Sequence, residues 1–427
     1  MRVWNRVFVL VGAVVMAGLA SGQDNSSMNT YTPYSLYGLG DVQQQGLTAS
    51  RGMAGLTTGI RDTRQIDYVN PAAANARDSL TFVFDFGGEM KNFYLKSFSS
   101  KSSSNSANFH HLVIAFPMGG TKFGMNFGIT PYSNVGYEIE DRERHNDTLI
   151  NQAGDIRYRY KGEDGLNQVF LNVAYNLFPQ LSLGLGAKYY FGSLSRYRNE
   201  EFNSSAYYYN TYTNNTLYVG DVAFLMGAQY EQRFSANKRL TAGLSWQPST
   251  NISCRESFIS QTSSTYYTDT ADFFENRSTF KIPMQLNVGV SFVKTDSWLI
   301  GAEFNYQDWS KTVIAGQANE MGRSYDVRLG GYYIPNRYDV RYFSKRITYR
   351  AGLRYSQSPM VYNGRNVKDM AASVGLGMPM RGMGDLNFAL EVGQRGSISN
   401  GMIKETYVNL MLSLTLFEAW FVKYRYE

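Results

Sequence analysis

Cysteine, histidine and proline are all scarce here: one, three and ten residues of 427. The lone Cys254 excludes an intramolecular disulfide framework. The three histidines, His110, His111 and His145, leave little for catalysis. No Gly-x-Ser-x-Gly elbow, His-Glu-x-x-His pair or cysteine cluster occurs, which argues against the hydrolase and metalloprotease classes. His110 and His111 are neighbours on a strand-like stretch, so they are expected on opposite faces and unable to share a metal. "GLGD" at 38–41 lacks the lysine of a phosphate loop. The chain therefore reads as a non-enzyme with neither metal nor cofactor. The net charge of +6 is spread out, with no basic stripe interleaved with aromatics, so nucleic acid is not an expected partner.

Apolar runs of membrane-helix length are also missing. Val7–Ala20 is the longest, shorter than the ~20 residues of a span. Arg2 and Arg6 precede it and Ala20-Ser21-Gly22 follows, so residues 1–22 are expected to be a secretory signal peptide.

What is abundant is glycine (40), tyrosine (33) and aromatic residues in general (15 %). Mean hydropathy is −0.33, which a membrane barrel permits because polar inward residues alternate with apolar outward ones. That alternation recurs along the chain. Leu80, Phe82, Phe84 and Phe86 oppose Thr81, Val83 and Asp85; Leu181, Leu183 and Leu185 oppose Ser182, Gly184 and Gly186; Val408, Leu410 and Leu412 oppose Asn409, Met411 and Ser413. The apolar sets are expected to face lipid. Short connections, such as Phe178–Gln180 and Ser235–Lys238, alternate with long polar stretches at Ser97–Asn108, Asp141–Asn167, Asn203–Thr216 and Thr250–Asp272, expected as outer loops. The pattern predicts an all-β fold: a fourteen-stranded antiparallel transmembrane β-barrel over 80–427, in the bacterial outer membrane. Trp420–Glu427 either ends the last strand beyond a bulge or adds a short one.

Residues 23–79 do not read as strands. Gly38, Gly40, Gly46, Gly52, Gly55 and Gly59 punctuate them, which suits an N-terminal hatch packed closely within the lumen. The segment ends at Asn70-Pro71-Ala72, the signal of a short helix: an asparagine cap, proline at the first position, then alanines.

"SRGMAGLTTGIRD" followed by Asn70-Pro71-Ala72 and then directly by a strand resembles the long-chain fatty acid transporters of the FadL type, as does the tail "LNFALEVGQRG…KETYVNLMLSLTLFEAWFVKYRYE". The likeness covers the two ends and the strand plan. It implies a hatch of residues 23–79 that includes Asn70, Pro71 and Ala72. It also implies an inward kink in the third strand that opens a lateral gate at Gly128, Pro131 and Gly136. Proline suits such a site, since it removes a ladder donor and is tolerated only at edges and bulges.

Lys188, Arg328, Arg350, Arg354, Glu303 and Glu391 fall on the inward face, with Phe170, Leu225, Leu299 and Met411 among them. A lipid-facing Arg or Lys at mid-depth costs ~2–4 kcal/mol, which places these charges inside. The bland reading is ion pairing that holds the hatch. The sharper one is a ligand site in which Arg350 or Arg354 receives an acyl carboxylate, with Arg328, Lys188 and Phe170 lining the path. The expected function is passive transport of a hydrophobic small-molecule ligand, fatty-acid-like, past the hatch and out sideways. The alternative is a non-transporting barrel serving as scaffold or shuttle for surface or secreted proteins. Expected partners are outer-membrane lipid and, during biogenesis, the barrel-assembly machinery; the barrel is expected to be a monomer.

Overall fold

The computed structural model describes residues 28–419 apart from breaks at 80, 99, 119–121, 144–155, 203–207, 265–267, 315–316, 319–320, 363, 381–383 and 399–401. The expected signal peptide, His145 and Trp420–Glu427 lie outside the described residues.

Fourteen wall strands form one closed antiparallel barrel. They are β1 (Thr81–Lys96), β2 (Lys101–Met118), β3 (Phe123–Asn134, continued by Tyr137–Arg142), β4 (Ile156–Phe178), β5 (Leu181–Phe202), β6 (Asn210–Ser235) and β7 (Lys238–Gln247, continued by Thr250–Ser263). Then follow β8 (Thr268–Ile282, continued by Gln285–Lys294), β9 (Trp298–Asp308), β10 (Arg323–Tyr333), β11 (Thr348–Tyr362), β12 (Arg365–Met380), β13 (Gly384–Arg395) and β14 (Lys404–Ala419). Each pairs with its chain neighbour, and β14 returns to β1 from Thr81↔Ala419 through Lys96↔Lys404. The interruptions in β7 and β8 fall at Pro248 and Pro283, which cannot donate to a ladder.

The two wall faces follow the alternation. Leu183 and Leu185 are exposed and Phe82, Phe84, Leu410 and Leu412 partly so, whereas Val83, Ser182 and Met411 between them are buried. An outward apolar set of this kind is the lipid-facing belt of an outer-membrane barrel. No helix among the described residues is long and apolar enough to cross a membrane.

Two expectations need correction. The long polar stretches are mostly strand: Lys101–Asn108, Ile156–Asn167, Asn210–Thr216 and Thr250–Ser263 continue the wall beyond the belt. Above the membrane both faces are wet, so the apolar period that marks a strand vanishes while the backbone ladder persists. And His110 and His111 do not part. The β1·β2 register shifts between Gly87↔His111 and Gly88↔Phe109, leaving His110 as an extra residue. This bulge turns both imidazoles inward, their Nδ1 atoms 2.6 Å apart, with His111 Nε2 2.9 Å from Asp85 Oδ1.

Residues 28–79 are largely buried and carry little regular structure: a 3-10 turn at Pro33–Leu36, the two-residue strand Asp41–Val42, a helical turn at Thr48–Arg51 and a 3-10 turn at Pro71–Asn75.

Candidate functional site

The N-terminal segment meets the inward face of the wall almost all the way round. Glu303 on β9 accepts from the backbone N–H groups of Thr57 and Thr58 at 2.7 and 2.8 Å. Ser373 on β12 accepts from the Ala54 N–H, and Gln229 on β6 donates to the carbonyls of Thr58 and Ile60. Asn126 on β3 and Asn172 on β4 donate to the carbonyls of Asp67 and Tyr68. A segment with so little internal ladder has its polar backbone satisfied by the wall instead. Glycines on the wall make room: a Cβ on Gly243 would collide with the Thr58 carbonyl oxygen.

Asn70, Pro71 and Ala72 end this segment. The Asn70 side chain accepts from the Ala72 N–H at 3.0 Å and donates to the Thr58 and Ala228 carbonyls. Pro71 and Ala72 lie against Gly184 on β5 and Gly227 on β6, and Ser182 donates to the Ala72 carbonyl at 2.8 Å. These wall positions are close to the tight turn between β4 and β5, at the short-turn end that faces the periplasm in such barrels.

The five candidate ligand residues form two separate pairs plus Arg350. Arg328 and Arg354 are direct cross-strand neighbours on β10 and β11; Phe170 and Lys188 are neighbours on β4 and β5. Arg354 donates to Asp369 at 3.1 Å, Glu391 at 3.3 Å and the Tyr407 hydroxyl at 2.7 Å. Glu391 also pairs with Arg51 of the N-terminal segment at 3.3 Å. Arg328 donates to the Gly55 carbonyl and pairs with Asp326 and Glu303. Arg350 donates to Asn387 at 2.9 Å. Phe170 stacks on Tyr68, centroids 4.8 Å apart. Lys188 Nζ donates to Gln247 at 3.2 Å; like Arg350, it enters no ion pair with a carboxylate among the described residues. The interior hollows beside the arginines measure about 120 and 70 Å³ and are lined by polar groups such as Asp41, Gln43, Gln44 and Arg395.

Gly128, Pro131 and Gly136 lie where two wall strands part. The β2·β3 ladder runs only from Met118↔Phe123 to Leu112↔Ile129. Beyond it β3 stays on β4, with a register shift between Pro131 and Ser133, while β2 from Lys101 to His111 pairs with β1 alone. The released edge of β3 is taken up by the N-terminal segment. Asp41↔Asn134 and Val42↔Ser133 pair, Gln43 N–H donates to the Tyr132 carbonyl at 2.8 Å, and Thr32 N–H donates to the Gly136 carbonyl at 2.9 Å. A Cβ on Gly136 would collide with the Thr30 carbonyl oxygen. Gly128 still pairs with Val113.

Sequence reasoning missed Gln43, Asp41–Val42 and the Arg395–Asp41 pair at 2.7 Å, all of which tie the segment to the wall. Only the polar character of "GDVQQQ" pointed that way.

A model of the BamG family matches residues 5–427. The chain belongs to the BamG family. Among curated proteins no match is found. Among solved structures, a Pseudomonas aeruginosa FadL homologue matches with 12 % identity and a TM-score of 0.61, over 89 % of this chain and 99 % of that one. The CymD monoaromatic hydrocarbon channel matches with 14 % identity and a TM-score of 0.56, over 89 % and 98 %. The Ralstonia pickettii toluene transporter TbuX matches with 14 % identity and a TM-score of 0.56, over 88 % and 99 %. At these identities the shared property is the barrel architecture, and this BamG-family chain has the FadL-type fold.

Proposed function

We propose that this barrel is a plugged, non-conducting scaffold of the outer membrane that acts beside the barrel-assembly machinery, the context its family name suggests. The observation that carries this reading is the occupied lumen. All four candidate cations are bonded to the wall or to the N-terminal segment, and the neighbouring hollows fall below the ~300 Å³ at which small-molecule pockets begin. In this reading residues 1–22 are the export signal, 23–79 a static hatch and 80–427 the barrel, present in one copy per assembly. Isolation from native outer membranes in mild detergent should bring down a central assembly barrel in fixed ratio, and the protein in liposomes should not speed hydrophobe flux. Recovery of the protein alone, together with rapid flux, would overturn the proposal.

A second reading is passive transport of hydrophobic or amphipathic small molecules, fatty-acid-like, past the hatch and out through the wall. The separation of β2 from β3 beside Pro131 supports it, as does the kinship of fold with hydrocarbon channels. Arg350 or Lys188, neither of which is paired with a carboxylate, would then receive the acyl carboxylate. One of Arg350→Gln and Lys188→Gln should lower binding of a spin-labelled fatty acid about tenfold under this reading, and neither should under the first.

A further inference from the structure

Outside the lumen, the wall carries a cationic hollow of about 880 Å³ on β6, β7 and β8. Following each strand away from the short turns places it. On β7 the outward residues are Ala242, Leu244 and Trp246, then Asn251, Ser253 and Arg255. On β8 they are Val290, Val288 and Leu286, then Thr279 and Arg277, with Lys281 at the change. The change from apolar to cationic follows about nine residues of strand from the short turns, one membrane span. The hollow is therefore at headgroup depth on the side of the long extensions, the outer leaflet.

Its charges are arranged at a cost to the fold. Arg255 and Arg277 are direct cross-strand partners, and like charges so placed destabilise a sheet. Lys281 is opposite Asn251, and Lys311 lines the same hollow. Arg277 and Lys281 enter no ion pair or side-chain hydrogen bond among the described residues. Arg255 has a 4.0 Å contact with Glu275, both half-exposed and so weakly coupled, and lies over the Tyr218 ring at 4.9 Å. Four cations converge here and outnumber the nearby carboxylates: Glu275 beside Arg255, Asp308 within electrostatic reach of Lys311, and Asp221 at the rim, which accepts from the Ser253 N–H at 2.8 Å. Asn251 and Thr279 add neutral donors, and Tyr218 supplies an amphipathic ring of the kind found at membrane interfaces.

We propose that this hollow binds the phosphorylated headgroup of an anionic outer-leaflet glycolipid. The paired guanidiniums suit bidentate phosphate contacts, and the lysines act as point charges for a second phosphate. The acyl chains would lie along Leu244, Trp246 and Val288 below. The proposal is independent of what the lumen does.

The test uses the full-length protein in zwitterionic nanodiscs, with diphosphorylated lipid A, its dephosphorylated counterpart and inorganic phosphate as probes, read by native mass spectrometry. The wild type should retain the diphosphorylated lipid at least about tenfold better than the dephosphorylated one, and Arg277→Ser with Lys281→Ser should abolish that preference. Millimolar inorganic phosphate should not displace the lipid. Heat-modifiable gel mobility checks folding; if the double variant fails it, Lys281→Ser alone should lower the preference about threefold. Equal retention of both lipids would overturn the proposal. So would displacement by inorganic phosphate, a variant that keeps the preference, or a variant whose one defect is loss of an acidic protein partner.

Discussion

The first hairpin of the barrel has two seams, and they are built differently. Toward β14, β1 is paired along its whole length, from Thr81↔Ala419 to Lys96↔Lys404. Toward β3, β2 is paired only from Met118 to Leu112. The closed seam joins the two ends of the barrel, where closure entropy is greatest, yet it is complete. The open seam joins strands only four residues apart in the chain, yet it parts. Chain separation is therefore not what decides. β3 carries Pro131 between Gly128 and Gly136, and its freed edge has another partner in the N-terminal segment through Thr32, Asp41, Val42 and Gln43. In hydrocarbon an unpaired backbone group costs several kcal/mol, so a seam opens only where something else completes it.

The largest test of this contrast is removal of residues 28–45. Each buried backbone group left without a partner costs ~1–3 kcal/mol, and several lose theirs together. Limited proteolysis should then cut within 130–142, while amide exchange across the closed seam stays slow. Uncut β3 would show that the segment does not hold it.

Next in size is a pair of glycine substitutions, one per seam. Gly136→Ala places a methyl against the Thr30 carbonyl and should cost ~1–3 kcal/mol, read as earlier loss of heat-modifiable mobility. At the closed seam, Gly88→Ala meets only the Asn108 carbonyl at 3.5 Å and should change stability by less than ~0.5 kcal/mol. Equal effects would remove the distinction.

Pro131→Val asks whether the proline alone keeps the seam open. Restoring its N–H should change stability by less than ~1 kcal/mol, with exchange at Ser106–His111 remaining fast, because the N-terminal segment still holds β3. Slow exchange there would make the proline the sole cause. Gly128→Thr is unsuited to this purpose, since a Cβ at 128 would collide with the Leu112 carbonyl.

The smallest effect concerns pH. Burial pushes the Asp67 carboxyl up to about 7, against the N–H groups of Val69 and Asn70 that donate to its Oδ1. A carboxyl raised in the folded state is favoured while protonated, so its destabilising contribution grows from the ordinary carboxylate range up to about pH 7 and is constant above. Exchange of the amides near Asp67 should be faster at pH 8 than at pH 5, beyond the intrinsic change, and Asp67→Asn should remove that difference.

Much of the barrel was legible in the chain. Leu183 and Leu185 against Ser182 and Gly184 carry the period of two that a strand with one apolar and one polar face requires, and Asn70-Pro71 carries its own cap chemistry. The polar extensions above the belt were not, because water on both sides of a strand erases that period. The candidate arginines were legible as inward-facing but not as engaged: Arg354 finds Asp369, Glu391 and Tyr407 on three other strands, a register that no local pattern encodes.

The sequence by itself determined a wall of alternating strands, its lipid-facing side and the capped turn at Asn70, since these depend on residue order over a few positions. Tertiary structure alone decided that the bulge at His110 turns two histidines inward and that β2 and β3 part. It alone also set Arg255 opposite Arg277 on the outer face. Each of these depends on which backbone groups of distant segments find a partner, and that is fixed only when the barrel closes around the N-terminal segment.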